Sequence, residues 1–105
     1  MTFKEEYVDF GRMKKGDKKS YTYYFTNTGD EDLIIELISG CHCSKITEPA
    51  KKRFKPGEGD EIKVLFDSSE EEGEVTKTVD ILLENEDPKT GYQIIYEVKY
   101  HAIIE

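Results

Sequence analysis

The 105-residue chain has no tryptophan, only two cysteines, two histidines and three prolines. Two cysteines are too few for the disulfide framework of small secreted proteins, and this length can bury a core without one. No apolar run approaches the roughly 20 residues of a transmembrane helix, and no charged-then-apolar leader opens the chain. The sequence therefore predicts a single domain, residues 1–105. It is either cytoplasmic or, if a leader has been removed, periplasmic or extracellular.

Positive charge is scarce in the second part of the chain. Residues 1–60 carry 11 basic and 11 acidic side chains, whereas residues 61–105 carry 4 basic and 12 acidic ones. The whole net charge of -8 therefore lies in the last part. Such a surface repels phosphate backbones and anionic lipids, so we expect no nucleic acid among the partners.

Apolar residues at helical spacing are also missing, and alternation with a period of two takes their place. The alternating segments are residues 7–11, 20–27, 33–40, 61–67, 74–85 and 92–104. Between them lie stretches of turn-forming residues such as Pro56-Gly57. This pattern predicts an all-β fold, an immunoglobulin-like antiparallel β-sandwich of about seven strands.

The third alternating segment has two apolar faces. Leu33, Ile35 and Leu37 are expected on one face and Ile34 and Ile38 on the other. A strand that is apolar on both faces is typical of the centre of a sheet.

Two further features suggest contact surfaces. In the second segment, Tyr21, Tyr23 and Phe25 are predicted to face inward, which leaves Tyr24 outward. The last strand, 92–104, is predicted to be a sheet edge or the neighbour of one. An edge strand offers unpaired backbone groups to a partner.

Both cysteines lie in one short segment, where His42 separates Cys41 from Cys43. Two thiolates at this spacing, completed by His101, could bind a soft metal such as copper or zinc. The two cysteines could instead form a disulfide, since same-face strand positions about 6.5–7 Å apart reach the limit of disulfide geometry. Alternatively, both are small buried hydrophobic residues. The sequence leaves the three interpretations open.

Several segments resemble a known bacterial family. The order "DFG", "YYFTNTGDEDLII", "CHC", "KPGEGDEIKVLFDS" and "GEVTKTVDILLEN" is similar to the family called domain of unknown function 1573. The family motif Ser-Cys-Gly-Cys-Thr reads Gly40-Cys41-His42-Cys43-Ser44 here. The resemblance implies a secreted or periplasmic immunoglobulin-like module with no established activity.

No nucleophile–base pair and no phosphate loop can be identified, so we expect the protein not to be an enzyme. The predicted function is a binding or structural module in protein–protein interaction at the bacterial cell envelope. The contact candidates are Cys41, His42, Cys43, Ser44 and Tyr24. The alternative is a soft-metal or redox site at the Cys-His-Cys segment. The partner is expected to be another protein, a tandem domain, or a second copy that meets the basic loop at residues 51–55.

Overall fold

The computed structural model describes residues 1–105, and every regular element in it is a β-strand. The strands are β1 (Thr2–Phe3), β2 (Tyr7–Met13), β3 (Lys18–Thr26), β4 (Leu33–Ser39), β5 (Ser44–Thr47), β6 (Arg53–Phe54), β7 (Gly59–Asp67), β8 (Gly73–Glu86) and β9 (Gln93–Ile104). The longer strands coincide with the alternating segments, because β-branched and aromatic residues fit a pleated, half-buried surface. The structure contains no helix that could cross a membrane.

The strands form two sheets. One has the order β1-β3-β7-β5 and the other the order β2-β9-β8-β4-β6. All ladders are antiparallel except that between β2 and β9, where Tyr7 lies opposite Lys99 and Met13 opposite Ile104. The predicted immunoglobulin-like sandwich is confirmed, but one pair is parallel. Alternation could not reveal this, because side chains alternate with the same period in both kinds of ladder.

The structure has nine strands where about seven were predicted. The strands β1 and β6 have two residues each, which is too short to display an alternating pattern. Each of them nevertheless buries one aromatic ring, Phe3 in β1 and Phe54 in β6. The two extra strands therefore extend the hydrophobic core at the margins of both sheets.

The core lies between the inner faces of the two sheets. Tyr23 and Phe25 of β3 and Ile62, Val64 and Phe66 of β7 are buried, as the alternation predicted. The facing sheet contributes the buried side chains Val79, Ile81, Leu83, Val98 and Tyr100. Burying a side chain of this size contributes about 1.5–3 kcal/mol, so these two faces supply most of the stabilisation.

A β-bulge interrupts β4 between Ile35 and Leu37. Leu33, Ile35 and Ile38 are buried, whereas Leu37 is 53% exposed. The predicted placement of Leu37 on the same face as Ile35 is therefore wrong. The extra residue of a bulge moves the following side chains to the opposite face of the strand.

The last strand is paired on both sides, with β2 on one side and β8 on the other. It is thus the neighbour of an edge strand, which is the second of the two positions predicted for it. The edge strands are β1 and β5 in one sheet and β2 and β6 in the other.

A buried asparagine organises the connection between β3 and β4. The Asn27 side chain is almost completely buried, and its Nδ2 donates to the carbonyl oxygens of Glu31 (2.8 Å) and Phe54 (2.9 Å). Its Oδ1 accepts a hydrogen bond from the Gly29 amide at 3.0 Å. This connection looks like a solvated loop in the sequence, yet its central amide is part of the interior.

Candidate functional site

The Cys-His-Cys segment forms a tight turn between β4 and β5. The Ser44 amide donates to the Cys41 carbonyl oxygen at 3.0 Å, and the Asp67 amide donates to the Cys43 carbonyl oxygen at 3.0 Å. This turn brings the two cysteine Cα atoms to 5.1 Å, closer than the spacing of an extended strand. The Sγ atoms of Cys41 and Cys43 form a disulfide. Of the three interpretations left open by the sequence, the structure contains the disulfide.

The two sulfur atoms differ in exposure. Cys43 is 8% exposed and packs in the hydrophobic core, whereas Cys41 is half-buried at its margin. A cleft of about 270 Å³ borders Cys43, and a second cleft of about 310 Å³ borders Cys41 on the other side. The disulfide is thus reached from solvent mainly through Cys41.

Two hydroxyl groups contact the disulfide from within the sandwich. The Tyr100 hydroxyl lies 3.8 Å from the Cys41 Sγ and 3.9 Å from the Cys43 Sγ. The Ser44 Oγ lies 3.4 Å from the first sulfur and 3.9 Å from the second. The hydroxyls of Ser44 and Tyr100 also hydrogen-bond each other. Both sulfur atoms therefore have potential hydrogen-bond donors beside them.

Tyr100 is held in place by its ring. The ring centroids of Phe10 and Phe66 lie 5.4 and 5.2 Å from that of Tyr100. Burial raises the pKa of the Tyr100 hydroxyl, the nearby Glu71 carboxylate adds to the increase, and the hydrogen bond from Ser44 partly opposes it. Tyr100 consequently remains a protonated donor at neutral pH.

The outer side of the turn is charged. His42 is 84% exposed, and its Nε2 lies 3.6 Å from a carboxylate oxygen of Glu70. The cleft beside Cys41 is lined by Lys77, whose ammonium group forms a half-buried ion pair with Glu71 at 2.9 Å. A cation therefore lines the same cleft as the more exposed sulfur.

The structure does not bring His101 together with the cysteines. Its ring lies on the outer face of β9 and is 13% exposed, whereas the adjacent Tyr100 points inward toward the disulfide. The ring Nδ1 lies 3.1 Å from Asp9 and the Nε2 lies 3.0 Å from Glu74. These hydrogen bonds, first that with Asp9, raise the pKa of His101 above its ordinary value of 6.5.

The side chains proposed from the sequence as metal ligands therefore do not converge. The sulfur atoms of Cys41 and Cys43 are bonded to each other, and a thiolate is the form that binds copper or zinc. Both ring nitrogens of His101 are engaged by carboxylates. No group of three or more His, Cys, Asp or Glu side chains is arranged to hold a metal ion.

Tyr24 is likewise separate from the turn. It lies near the end of β3 on the outer face of the four-stranded sheet and is 51% exposed. Register places Ser44 opposite Phe66 and Phe66 opposite Lys19, so Tyr24 lies five residues, roughly 17 Å, further along β3. Cys41, His42, Cys43 and Ser44 therefore form one candidate site, and Tyr24 belongs to another surface.

A row of exposed apolar side chains crosses the outer face of the five-stranded sheet. Leu37 of β4 lies opposite Leu82 of β8, which lies opposite Ile95 of β9. Leu37 and Ile95 are 53% and 61% exposed. We call these three residues the apolar row. Sequence reasoning missed it, although the adjacent pairs Leu82-Leu83 and Ile94-Ile95 signal it, since one residue of each pair must face outward.

Acidic residues border the apolar row. On one side of it, Asp80 of β8 and Glu97 of β9 lie opposite each other in the ladder. On the other side, Glu36 accepts a hydrogen bond from Gln93 at 3.0 Å across β8. The surface thus has an apolar centre and a mainly acidic rim.

A family model described as "Protein of unknown function (DUF1573)" matches residues 1–98. The chain belongs to this family. The match confirms the resemblance to DUF1573 found in the sequence, but it does not show how the Cys-His-Cys turn corresponds to the family motif. No curated protein matches the chain.

Solved structures share the fold. The VesB protease of Vibrio cholerae has a TM-score of 0.77 and 12% identity over 97% of this chain. A protein of unknown function from Porphyromonas gingivalis W83 has a TM-score of 0.75 and 17% identity, also over 97%. The PapD-like domain 7 of human CEP192 has a TM-score of 0.65 and 8% identity over 99% of this chain and 84% of that one. At these identities, the matches show the fold of this DUF1573 domain alone.

The chain is shorter than the bacterial proteins that it resembles. It spans 31% of the VesB chain and 45% of the Porphyromonas gingivalis chain. The fold is therefore also found as one part of larger proteins.

Proposed function

We propose that this DUF1573 domain is a non-catalytic binding module that acts in protein–protein interaction at the bacterial cell envelope. The observation that carries the proposal is the apolar row, Leu37, Leu82 and Ile95. Single apolar residues are common on protein surfaces, but a contiguous group with a polar rim is typical of an interaction surface. The row has this form, because register places its three side chains side by side on adjacent strands.

The sheet edges favour recognition by this face over strand addition. The edge strands β1 and β6 have two residues each, and β5 has four. The longer edge strand β2 has a register shift between Asp9 and Arg12, with Gly11 at a φ of 72°. Short or bulged edges are devices that prevent pairing with another chain.

The rim indicates the chemistry of the partner. Asp80 and Glu36 border the apolar row, and Glu97 beside Asp80 pairs with Lys99 at 3.3 Å. The rim keeps an acidic excess, so a partner with apolar side chains flanked by Lys or Arg fits it best. A second copy of the chain fits poorly. Its net charge is -8, and in its basic loop Lys51 and Arg53 already pair with Glu58 and Asp32.

A role without catalysis is supported by the state of the two histidines. Both ring nitrogens of His101 are engaged by Asp9 and Glu74, which leaves no free nitrogen for proton transfer. His42 is exposed on the turn, and its Nε2 lies 3.6 Å from a Glu70 carboxylate oxygen. The envelope location is supported by the Cys41–Cys43 disulfide, because such bonds persist in oxidising compartments.

The test compares the wild-type protein with a Leu37→Ser/Ile95→Ser variant as bait in an envelope extract of the source organism. We expect the wild-type protein to retain a basic protein and the variant to lose it, with affinity falling roughly tenfold for each substitution. Binding should also weaken as salt concentration rises, since the rim is charged. Tyr24→Ser, on the other sheet, is the matched control and should bind normally.

Two outcomes would overturn the proposal. If the double variant retains the same partner as the wild-type protein, the apolar row is not the contact surface. If the purified domain turns over a substrate, the non-catalytic role is wrong. Circular dichroism of the variants verifies that the fold is retained, which is expected because Leu37 and Ile95 lie outside the core.

A further inference from the structure

The disulfide closes an unusually small ring. Cys41 and Cys43 have a single residue between them, so the bond removes little freedom from the unfolded chain. Two backbone hydrogen bonds also hold the turn, one within it from Ser44 to Cys41 and one from Asp67 of β7 to Cys43. The fold therefore depends little on this bond, and the reduced protein can keep the same backbone.

We propose that Cys41 and Cys43 form a reversible dithiol–disulfide couple that exchanges with cellular dithiols. The proposal is independent of the apolar row and goes beyond the binding function. It depends on three observations, which are the half-buried position of Cys41, the Tyr100 hydroxyl beside both sulfur atoms, and the small contribution of the bond to the fold.

Cys41 is the sulfur that an incoming thiolate attacks. Each cysteine borders a cleft, but Cys41 is half-buried, whereas Cys43 is only 8% exposed and packs in the core. Lys77 and Asp80 line the same cleft as Cys41, and the Lys77 ammonium group is paired with Glu71, so exposure and not charge selects Cys41. Attack at Cys41 makes Cys43 the leaving group.

The leaving thiolate of Cys43 forms beside one free donor. The Tyr100 hydroxyl lies 3.9 Å from its sulfur and 3.8 Å from the Cys41 Sγ, and Ser44 hydrogen-bonds that hydroxyl. Burial keeps Tyr100 protonated, so it can donate to the thiolate as negative charge develops. A thiol that leaves as a stabilised anion leaves faster, and its disulfide is easier to reduce.

The exchange takes two steps. A thiolate of the dithiol reductant forms a bond to the Cys41 Sγ, and the Cys41–Cys43 bond breaks with its electron pair going to Cys43. A second thiolate, from the same dithiol or from a second glutathione molecule, then attacks the reductant's sulfur in the mixed disulfide, and Cys41 leaves as a thiolate. The reductant becomes a disulfide, and two electrons and two protons end on Cys41 and Cys43.

The first experiment measures the couple in the native protein. Purified oxidised protein is equilibrated with mixtures of reduced and oxidised glutathione, and free thiols are counted by alkylation and mass spectrometry. We expect two thiols to appear in millimolar reduced glutathione and to disappear again when oxidised glutathione is added. A disulfide that resists glutathione until the protein is unfolded in urea would overturn the proposal.

The second experiment tests the donor with a matched pair of variants. Tyr100→Phe removes the hydroxyl near the sulfurs and keeps the ring that packs on Phe10 and Phe66. Tyr23→Phe removes an equally buried hydroxyl that donates to the Lys99 carbonyl oxygen instead. In reduced protein, the pH midpoint for alkylation of Cys43 should rise by about one unit in the first variant alone. Equal midpoints in both variants would refute the role of Tyr100.

The third experiment identifies the attacked sulfur. With Cys43→Ser, Cys41 remains and should form a mixed disulfide with oxidised glutathione. With Cys41→Ser, only the buried Cys43 remains, and the reaction should be roughly tenfold slower. The reverse order would show that Cys43 is attacked and would overturn the proposed direction.

Discussion

The two ends of the sandwich are held by different chemistry. The strand β4 runs from one to the other, since it begins after the Asn27 loop and ends before the Cys41–Cys43 turn. At the first end, Asn27 and Asn85 fix the loops through neutral amide hydrogen bonds to the backbone. At the second end lie the disulfide and Tyr100.

The two ends should respond differently to changes in pH and redox state. An amide neither titrates nor exchanges electrons, so the Asn27 end has the same contacts at any physiological pH and redox state. The other end holds a reducible bond and, on the outer face of β8 and β9, the titratable His101. The first end is therefore expected to be structural, whereas the second can respond to the environment.

The largest loss of stability should follow from a substitution at the Asn27 end. Asn27→Ala removes the donor of two carbonyl oxygens, those of Glu31 and Phe54, and leaves them without a side-chain partner. We expect a loss of about 3 kcal/mol in the free energy of unfolding, measured in urea, with or without reductant. Thr28→Ala is the control, because that side chain is exposed and bonds only the Thr2 hydroxyl. Similar losses in both variants would contradict this view of Asn27.

A smaller effect should follow from removing the disulfide. Cys41→Ala with Cys43→Ala opens a ring that has one intervening residue, for which the chain-entropy relation gives about 1.5 kcal/mol. The free energy of unfolding of the double variant should match that of the wild-type protein under reductant. If the loss exceeds that of Asn27→Ala, the turn is a main support of the fold and the two ends are not distinct in the way described.

The smallest effect should be the pH response of His101. Its pKa in the folded protein is raised above 6.5 by Asp9 and Glu74, while the stacked Tyr7 ring covers it. The contribution of protonated His101 to the free energy of unfolding is therefore complete below about pH 6.5, and it is lost as pH rises through the higher pKa of the folded protein. In His101→Gln, the free energy of unfolding should change less with pH over this range. The exposed His42→Gln serves as the control, and the wild-type slope should persist in it.

The sequence predicted the sandwich and most of its core. Tyr23, Phe25, Ile62, Val64 and Phe66 follow an unbroken alternation, so their faces were assigned correctly. Prediction failed at Leu37, where a bulge shifts the register and the sequence shows no sign of the bulge. The face on which a side chain lies can thus be derived from periodicity only where the strand ladder is regular.

The site was predicted only in part. The sequence identified Cys41, His42, Cys43 and Ser44 as neighbours, which the structure retains in one turn. It could not identify Tyr100, which reaches the sulfurs from a strand 57 residues later in the chain. Nor could it show that Ser68, close to the acidic run Glu70–Glu72, is buried with its hydroxyl bonded to the Asp17 carbonyl oxygen. Both depend on tertiary packing.

The parallel ladder between β2 and β9 has a mechanical consequence. The first of these strands leads away from the start of the chain and the second leads toward its end, and the two run in the same direction. Once the two-residue β1 has separated from β3, a force that pulls the chain termini apart slides β2 past β9 and loads their hydrogen bonds together. Such shearing resists extension far better than the sequential opening of a hairpin, so the domain should withstand tension along its length.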